Sequence, residues 1–322
     1  MLPELAPLLV CPCCRVALSG SDECLRCGNC RRSFPIVDGI PVLLAERVSQ
    51  NDAQKMRQAG FFDREDVEFE TDRPHGAPPL YGWLLGEKFR RSVAAVHTML
   101  KGSVALTVCG GSGMDAEFLA RAGATVISSD VSLGAAKRAA ERARRYGLAL
   151  QPIVADVERL PFRDQAFDLV YVHDGLHHLE RPGAGLAEMA RVAARVVSVN
   201  EPARAAATAV AVRLGLAQEQ EEAGNQVARL TLEEVADELR SHGFRVVAAE
   251  RYAMRYSHRP GVVVRRLSSA PLLPIARLGL RGLNVTIGGF GNKLTVQAVR
   301  DGVPAAGGDH QRAKAEGEAL CV

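Results

Sequence analysis

From Ser103 onward the chain alternates between two hydrophobic periods. Short apolar runs at 103–109 (SVALTVC), 124–130 (ATVISSD), 149–156 (ALQPIVAD), 167–174 (FDLVYVHD) and 195–202 (RVVSVNEP) read as buried strands. Between them lie segments of helical period: 114–123 (MDAEFLARAG), 134–147 (GAAKRAAERARRYG) and 184–193 (AGLAEMARVA). Gly123 and Gly147 close the first two of these helices. A further helix spans 231–243, with Thr231 and Glu234 spaced as a capping box. Strands at 244–252 and 293–300 end the pattern. Strands alternating with helices of this length predict an α/β fold, a doubly wound and mostly parallel sheet. Ahead of it, the spacing predicts a helix over 83–100. Residues 45–80 are polar and read as linker and irregular cover, with an amphipathic stretch around Phe61 and Phe62. With Tyr81 and Trp83 these aromatics are candidates for a lid, or equally for core.

The first 48 residues follow another rule. Six of the eight cysteines fall between Cys11 and Cys30. Cys11-x-x-Cys14 and Cys27-x-x-Cys30 are two knuckles with twelve residues between them, a spacing that suits tetrahedral zinc. Such a metal supplies folding energy to a segment too small to bury a core of its own. Cys24-x-x-Cys27 is also a legal pair, so the second knuckle stays ambiguous between Cys24 and Cys30. Clustered cysteines in a chain without a recognisable signal peptide point to a reducing, cytoplasmic setting. The closing run SFPIVDGIPVLL (33–44), with CPCC (11–14) at the opening, resembles the zinc ribbon of the activator subunit of tRNA methyltransferases. That resemblance favours Cys11, Cys14, Cys27 and Cys30 as the ligands.

The loop at 108–114 (VCGGSGM) raises the question of ligand. Gly111, Gly113 and Ala116 fit the dinucleotide pattern, and Asp130 ends the next strand, where a carboxylate can accept ribose hydroxyls. Asp156 ends the third strand, where it can accept an adenine amino group. The fourth strand runs into a histidine-rich loop, HDGLHH (173–178). Together with the closing helix–strand–insertion–strand order, these features resemble class I S-adenosylmethionine-dependent methyltransferases, close to the small-molecule branch that includes the quinone methyltransferases. The resemblance implies a seven-stranded sheet with its last strand antiparallel, and S-adenosylmethionine as cofactor. It implies that Cys109, Gly110, Gly111, Gly113, Asp130, Val131, Asp156, Val157 and His173 surround the cofactor, and that Asp174 lines the reaction pocket. His178, then His177, are the candidate bases, because histidine titrates near neutral pH. Asp168 reads as a structural strand-start residue. The chain departs from the family at Thr107 and Cys109, where an acid and a glycine are usual, and at 191–197, where the usual turn before the fifth strand is missing. No carboxylate at ligand spacing accompanies the histidines, which argues against a second metal site.

Organisation follows as a zinc ribbon (1–48), a linker and lid segment (49–82), the methyltransferase domain (83–300) and a disordered tail (301–322). The net charge of +3 is too small to imply nucleic acid. The ribbon segment offers five arginines against five acids and a single aromatic, Phe34, a poor stacking surface for RNA. Residues 251–300 hold nine Lys and Arg and no Asp or Glu, and 253–291 form an apolar insertion between the last two strands. This composition suits an acceptor that is apolar and anionic, a peripheral membrane contact, or a homodimer contact. The leading expectation is methylation of a small molecule at O, N or C. An RNA base methyltransferase and a non-catalytic zinc-ribbon partner protein are the alternatives.

Overall fold

The computed structural model describes residues 5–45, 50–64, 67–204, 229–254 and 258–304. Of the expected tail, residues 305–322 lie outside the described residues.

Strands β1 (Leu18–Gly20), β2 (Cys24–Cys27), β3 (Ser33–Val37) and β4 (Ile40–Pro41) make a small antiparallel sheet. Helices α1 (Gln50–Phe62), α2 (Val67–Asp72) and α3 (Pro79–Val93) follow. The large domain then runs β5 (Val104–Val108), α4 (Met114–Arg121), β6 (Thr125–Asp130), α5 (Leu133–Tyr146), β7 (Leu150–Val154), β8 (Phe167–His173), α6 (Pro182–Val192) and β9 (Ala193–Pro202). It closes with α7 (Leu232–Ser241), β10 (Phe244–Tyr252), α8 (Val262–Leu267), α9 (Leu273–Ile287) and β11 (Lys293–Arg300). The seven-stranded sheet has the order β10-β11-β9-β8-β5-β6-β7. Its pairs are parallel from β9 to β7, and β11 runs antiparallel to both β9 and β10. β5 pairs with β6 on one side and β8 on the other, so the chain reverses its winding there. The crevice beyond the carboxyl ends of β5 and β8 is where such sheets bind ligands. The doubly wound seven-stranded fold expected from the sequence is the one observed.

Local chemistry sets the elements. β5 and β8 are almost continuously buried, as strands covered on both faces must be. Ser132 caps α5 by accepting from Ala135 N, and Gly147 ends it in the left-handed region. The Thr231–Glu234 capping box forms as expected. Asp168 Oδ2 accepts from Val104 N at 2.9 Å, a structural role.

Two expectations need correction. Residues 50–62 and 67–72, read as part of a linker and irregular cover, are the helices α1 and α2. Their buried positions include Lys55, Gln58, Glu70 and Thr71, so no apolar stripe announces them. The helix expected over 83–100 starts at Pro79 and ends at Val93, and a short 3-10 turn carries the chain through His97–Met99. Proline is preorganised for a first helical turn, which sets the earlier start. The turn before the fifth strand, missing from the sequence, is missing from the fold as well: α6 ends at Val192 and β9 begins at Ala193.

Polar ties hold α1 and α2 over the sheet's carboxyl edge. Arg138 donates to Phe62 O at 2.7 Å, and Asp63 Oδ1 accepts from Ser132 Oγ at 2.6 Å and Gly134 N at 2.7 Å. The fully buried Arg142 donates to Glu117 at 2.6 Å and to the carbonyls of Glu70 and Arg73 at 2.6 and 2.8 Å.

The small sheet is not a separate bead. Leu9 bridges Phe162, Val42 bridges Val154, and Leu43 N donates to Val154 O at 2.8 Å. Leu8, Cys11, Leu25, Phe34 and Leu43 belong to the same apolar core as Ile153, Phe162, Val170 and Met189.

The insertion between β10 and β11 begins and ends on one rung of the ladder, Tyr252 opposite Lys293. At its return, a Cβ on Gly291 would lie 2.0 Å from Tyr252 C, so only glycine fits. α8 and α9 rest on Leu80, Leu84, Tyr252 and Met254.

Candidate functional site

A cleft of about 860 Å³ opens at the carboxyl edge of the sheet. One wall is the loop after β5. Gly110 lies tight against β6, where a Cβ would sit 2.3 Å from Ser128 Oγ. Gly111 and Gly113 have φ of +51° and +78°, and a Cβ on Gly111 would meet nothing within 4 Å. The loop is therefore bare on its cleft side. Cys109 also holds a positive φ, 51°, although it is not glycine. Burial pushes its thiol pKa well up, and Asp130 and Glu201 add to the rise, so Cys109 is a packing residue and no nucleophile. Thr107 Oγ1 donates to Ser128 Oγ at 3.0 Å, a buried pair at the base of the loop.

Two carboxylates stand next to this loop at the ends of neighbouring strands. Asp130 accepts from Gly111 N and Ser132 N, both at 2.9 Å. Burial raises its pKa against those two hydrogen bonds. Asp156 accepts from Glu158 N at 3.0 Å and pairs with Lys55 Nζ at 3.0 Å. Lys55 also pairs with Glu158. Nothing in the sequence singled out Lys55, one of several cations in the polar stretch 45–80. Val131 and Val157 line the cleft beside the two acids.

The opposite wall carries the charge. His173 Nδ1 and Asp115 Oδ1 lie 2.8 Å apart. Asp174 pairs with Lys88 at 2.6 Å and Lys293 at 2.5 Å, and its carboxylate is 3.4 Å from His173 Nε2. Burial works to raise the pKa of Asp174, but Lys293 and Lys88 outweigh it and hold the carboxyl well below its ordinary range. So strong an acid is a weak base near neutral pH, and Asp174 acts as an anchor for the two lysines. Burial works to lower the pKa of His173, yet Asp115 outweighs it and the net direction is up.

Beyond β8 the chain makes a 3-10 turn over Leu176–His178. Adjacent histidines on a turn usually diverge, but His177 and His178 both line the cleft, with their rings 4.1 Å apart. The cause is Glu201, a fully buried carboxylate at the end of β9 that sequence reasoning missed. It accepts from Gly175 N and Leu176 N at 2.8 Å, and His177 Nδ1 lies 2.8 Å away. Burial works to raise its pKa, and the His177 contact outweighs that and lowers it. A signal existed, since an acid ends an otherwise apolar strand in VVSVNEP (196–202). Phe62 meets His178 edge-on at 5.7 Å, and Gln58 donates to His178 O at 3.2 Å, so α1 roofs this end. Phe61 lines the cleft too, whereas Tyr81 is core and donates to His258 O at 2.6 Å. Trp83 lies under α9, flanked by Arg277 and Arg281.

Residues 106–195, which carry the glycine loop, both strand-end acids and the histidine turn, match the family model of a methyltransferase domain. This stretch is similar to a methyltransferase domain. A demethylmenaquinone methyltransferase of Thermobifida fusca is 35% identical over 107 residues, 32% of this chain and 44% of that protein. The one from Renibacterium salmoninarum is 36% identical over 105 residues, 33% of this chain and 43% of that protein. The chain thus spans less than half the length of these curated relatives. Among solved structures, magnesium protoporphyrin IX methyltransferase from Synechocystis PCC 6803, with bound S-adenosylhomocysteine, superposes with a TM-score of 0.52 at 18% identity. That superposition covers 77% of this chain and 100% of the other, and it establishes a common fold.

Packed on the large domain, the small sheet converges four thiols. The sulfurs of Cys11, Cys14, Cys27 and Cys30 all lie within 4.8 Å of one another, the one such cluster of metal-ligating groups among the described residues. Cys11 Sγ is 3.6 Å from Cys30 Sγ, and Cys14 Sγ is 3.3 Å from Cys27 Sγ. Cys24 Sγ points elsewhere, to Leu25 O, and Cys27 and Cys30 supply the second pair of the cluster. A hydrogen bond from Cys27 draws the Cys14 pKa down to about 6. Beside the knuckle, Arg15 pairs with Glu188 of α6 at 2.8 Å, and the other oxygen of Glu188 accepts from Leu160 N at 3.0 Å, so the small sheet is tied to the large domain by charge as well as by core. No helix among the described residues is long and apolar enough to cross a membrane.

Proposed function

We propose that the chain transfers a methyl group from S-adenosylmethionine to a small-molecule acceptor. The observation that carries this reading is the placement of Asp130 and Asp156 at the ends of adjacent strands, beside a loop whose Gly111 is bare toward the cleft. The residues fit the cofactor. Asp130 retains lone pairs for two ribose hydroxyls after its two amide bonds. Asp156 and Val157 would frame the adenine, with Lys55 sharing the Asp156 carboxylate. Gly110, Gly111 and Gly113 leave room for the methionyl arm beside Cys109, and His173 and Asp174 bound its far end. When bound, the cofactor supplies an activated methyl group on a sulfonium.

The protein's own part is orientation and proton movement. Holding acceptor and methyl group in line accounts for much of the acceleration available. Glu201 fixes the 175–178 turn and the tautomer of His177, with Nε2 as the basic nitrogen. His178, stacked on it under Phe62, is the group we assign to take the proton from a hydroxyl or amine acceptor, with His177 second. The relatives are named for demethylmenaquinone, a ring with a long apolar tail, and an apolar acceptor suits the Met254 and Phe62 lining. Arg229 and Arg259, which also line the cleft, suit an acceptor with an anionic group. The four thiols fit one structural zinc, since a closed thiolate set leaves no position for substrate.

Calorimetry with S-adenosylmethionine tests the reading, and millimolar cofactor without heat of binding would end it. Asp130→Ala removes a charged acceptor of two hydroxyls and is expected to weaken the cofactor about a hundredfold; unchanged affinity would remove Asp130 from the site. In His178→Ala, methylation of a demethylated quinol analogue is expected to fall on the order of 100-fold with cofactor affinity kept. Loss of cofactor binding in that variant would reassign His178 from proton transfer to cofactor contact.

A further inference from the structure

Surface helices face water with charge and the core with apolar side chains. α9 breaks that rule. Its inner row, Leu273, Ala276 and Leu280, packs on Leu84 and Tyr252 as expected. Its outer row is apolar as well: Ile275 is 67% exposed, Leu278 73% and Val285 87%. Val262 and Val263 on α8 and Phe290 after α9 extend the exposed apolar surface. Large exposed apolar side chains grouped on one element mark an interaction surface. Its charge has one sign, because Arg259, Arg265, Arg266 and Arg281 are exposed along it and no acid occurs from 251 to 300. The insertion also adjoins the cleft: Met254 and Arg259 on its entry side and Asn292 and Lys293 on its exit side all line the cleft.

We infer that α8 and α9 dock the protein on an anionic lipid surface. An amphipathic segment with apolar residues and a cationic border, too short to span, is the form that lies in the plane of a bilayer interface. Apolar side chains enter the acyl boundary while the arginines meet phosphate headgroups. This docking turns the cleft mouth toward the bilayer, so an apolar acceptor passes between them without crossing water. The inference rests on the exposed face and its charge alone, and it is read without turnover.

The test is sedimentation of the purified chain with vesicles. Two compositions are used: phosphatidylcholine alone, and phosphatidylcholine with about one-third phosphatidylglycerol. The chain is expected to sediment with the anionic vesicles and to be released by high salt. Arg265→Gln with Arg266→Gln lowers partitioning about 30-fold, the product of two headgroup attractions. Leu278→Glu with Val285→Glu lowers it at least 100-fold, and because both positions are exposed the fold survives, as circular dichroism and the melting point will report. A chain that stays in the supernatant with anionic vesicles overturns the inference. So does light scattering that shows a dimer abolished by Leu278→Glu, which would assign the face to a second copy.

Discussion

Asp174→Asn is expected to lower unfolding stability by about 3 kcal/mol, the cost typical of breaking a buried ion pair from one side. Lys88 is fully buried and Lys293 nearly so, and both ammonium groups share the Asp174 carboxylate. The amide keeps the shape and removes the charge, so what it exposes is the desolvated lysine, not a cavity. Adding Lys88→Met to Asp174→Asn should return most of the loss, because an apolar side chain of similar volume needs no partner there. Acid dependence gives the sign. The folded pKa of Asp174 is depressed, so its contribution is complete above the unfolded value near pH 4 and is lost as pH falls through the lower folded value. His173 runs the other way: its raised pKa gives a contribution complete below about pH 6.5 that fades as pH climbs through the folded value. Urea titrations of wild type and Asp174→Asn should therefore differ most above about pH 5 and draw together progressively as pH falls from about 4 toward the depressed folded value. Equal stability of the two proteins at neutral pH would show that the lysines do not depend on this carboxylate.

Metal stripping should have the other large effect. One zinc per chain is expected by elemental analysis, retained in Cys24→Ser and lost in Cys27→Ser. Structural zinc contributes about 10 kcal/mol or more to the folding of small ribbons. Here the loss should not stop at residue 45, because Cys11, Leu25, Phe34 and Leu43 share a core with Val170 and Met189. A chelator is thus expected to lower the melting midpoint of the large domain itself, measured by near-ultraviolet circular dichroism of its tyrosines. A metal-free chain with an unchanged midpoint would contradict both the zinc assignment and the shared core.

What could be read in advance followed the strength of the local signal. β5, β6 and β8 are apolar runs with glycine or acid at their ends, and that pattern fixed the strand positions, the glycine loop and the acids Asp130 and Asp156 together. The thiol pairs were equally legible, although spacing alone left Cys24 and Cys30 tied until the fold put Cys24 on the far side of β2. Polar burial is what the pattern hid. α1 turns Lys55 and Gln58 inward, so its helical period carries no hydrophobic mark. Glu201 and Lys88 are one-residue exceptions whose partners are 24 and 86 positions away, and no local window joins them. Those residues set the electrostatics of the cleft, so the frame of the site was visible in the sequence and its charge network was not.

The insertion's two ends meet on the Tyr252–Lys293 rung, and this has a consequence for how such a chain can change over time. Whatever is strung between those two residues leaves the register of β10 and β11 untouched. Lengthening a loop costs little once its ends are already joined, about 0.6 kcal/mol per doubling. The helices that border the cleft mouth are therefore exchangeable parts on a fixed mount. Descendants of one ancestral sheet can trade acceptors, or the surface they work on, by replacing this segment while the cofactor end stays as it was.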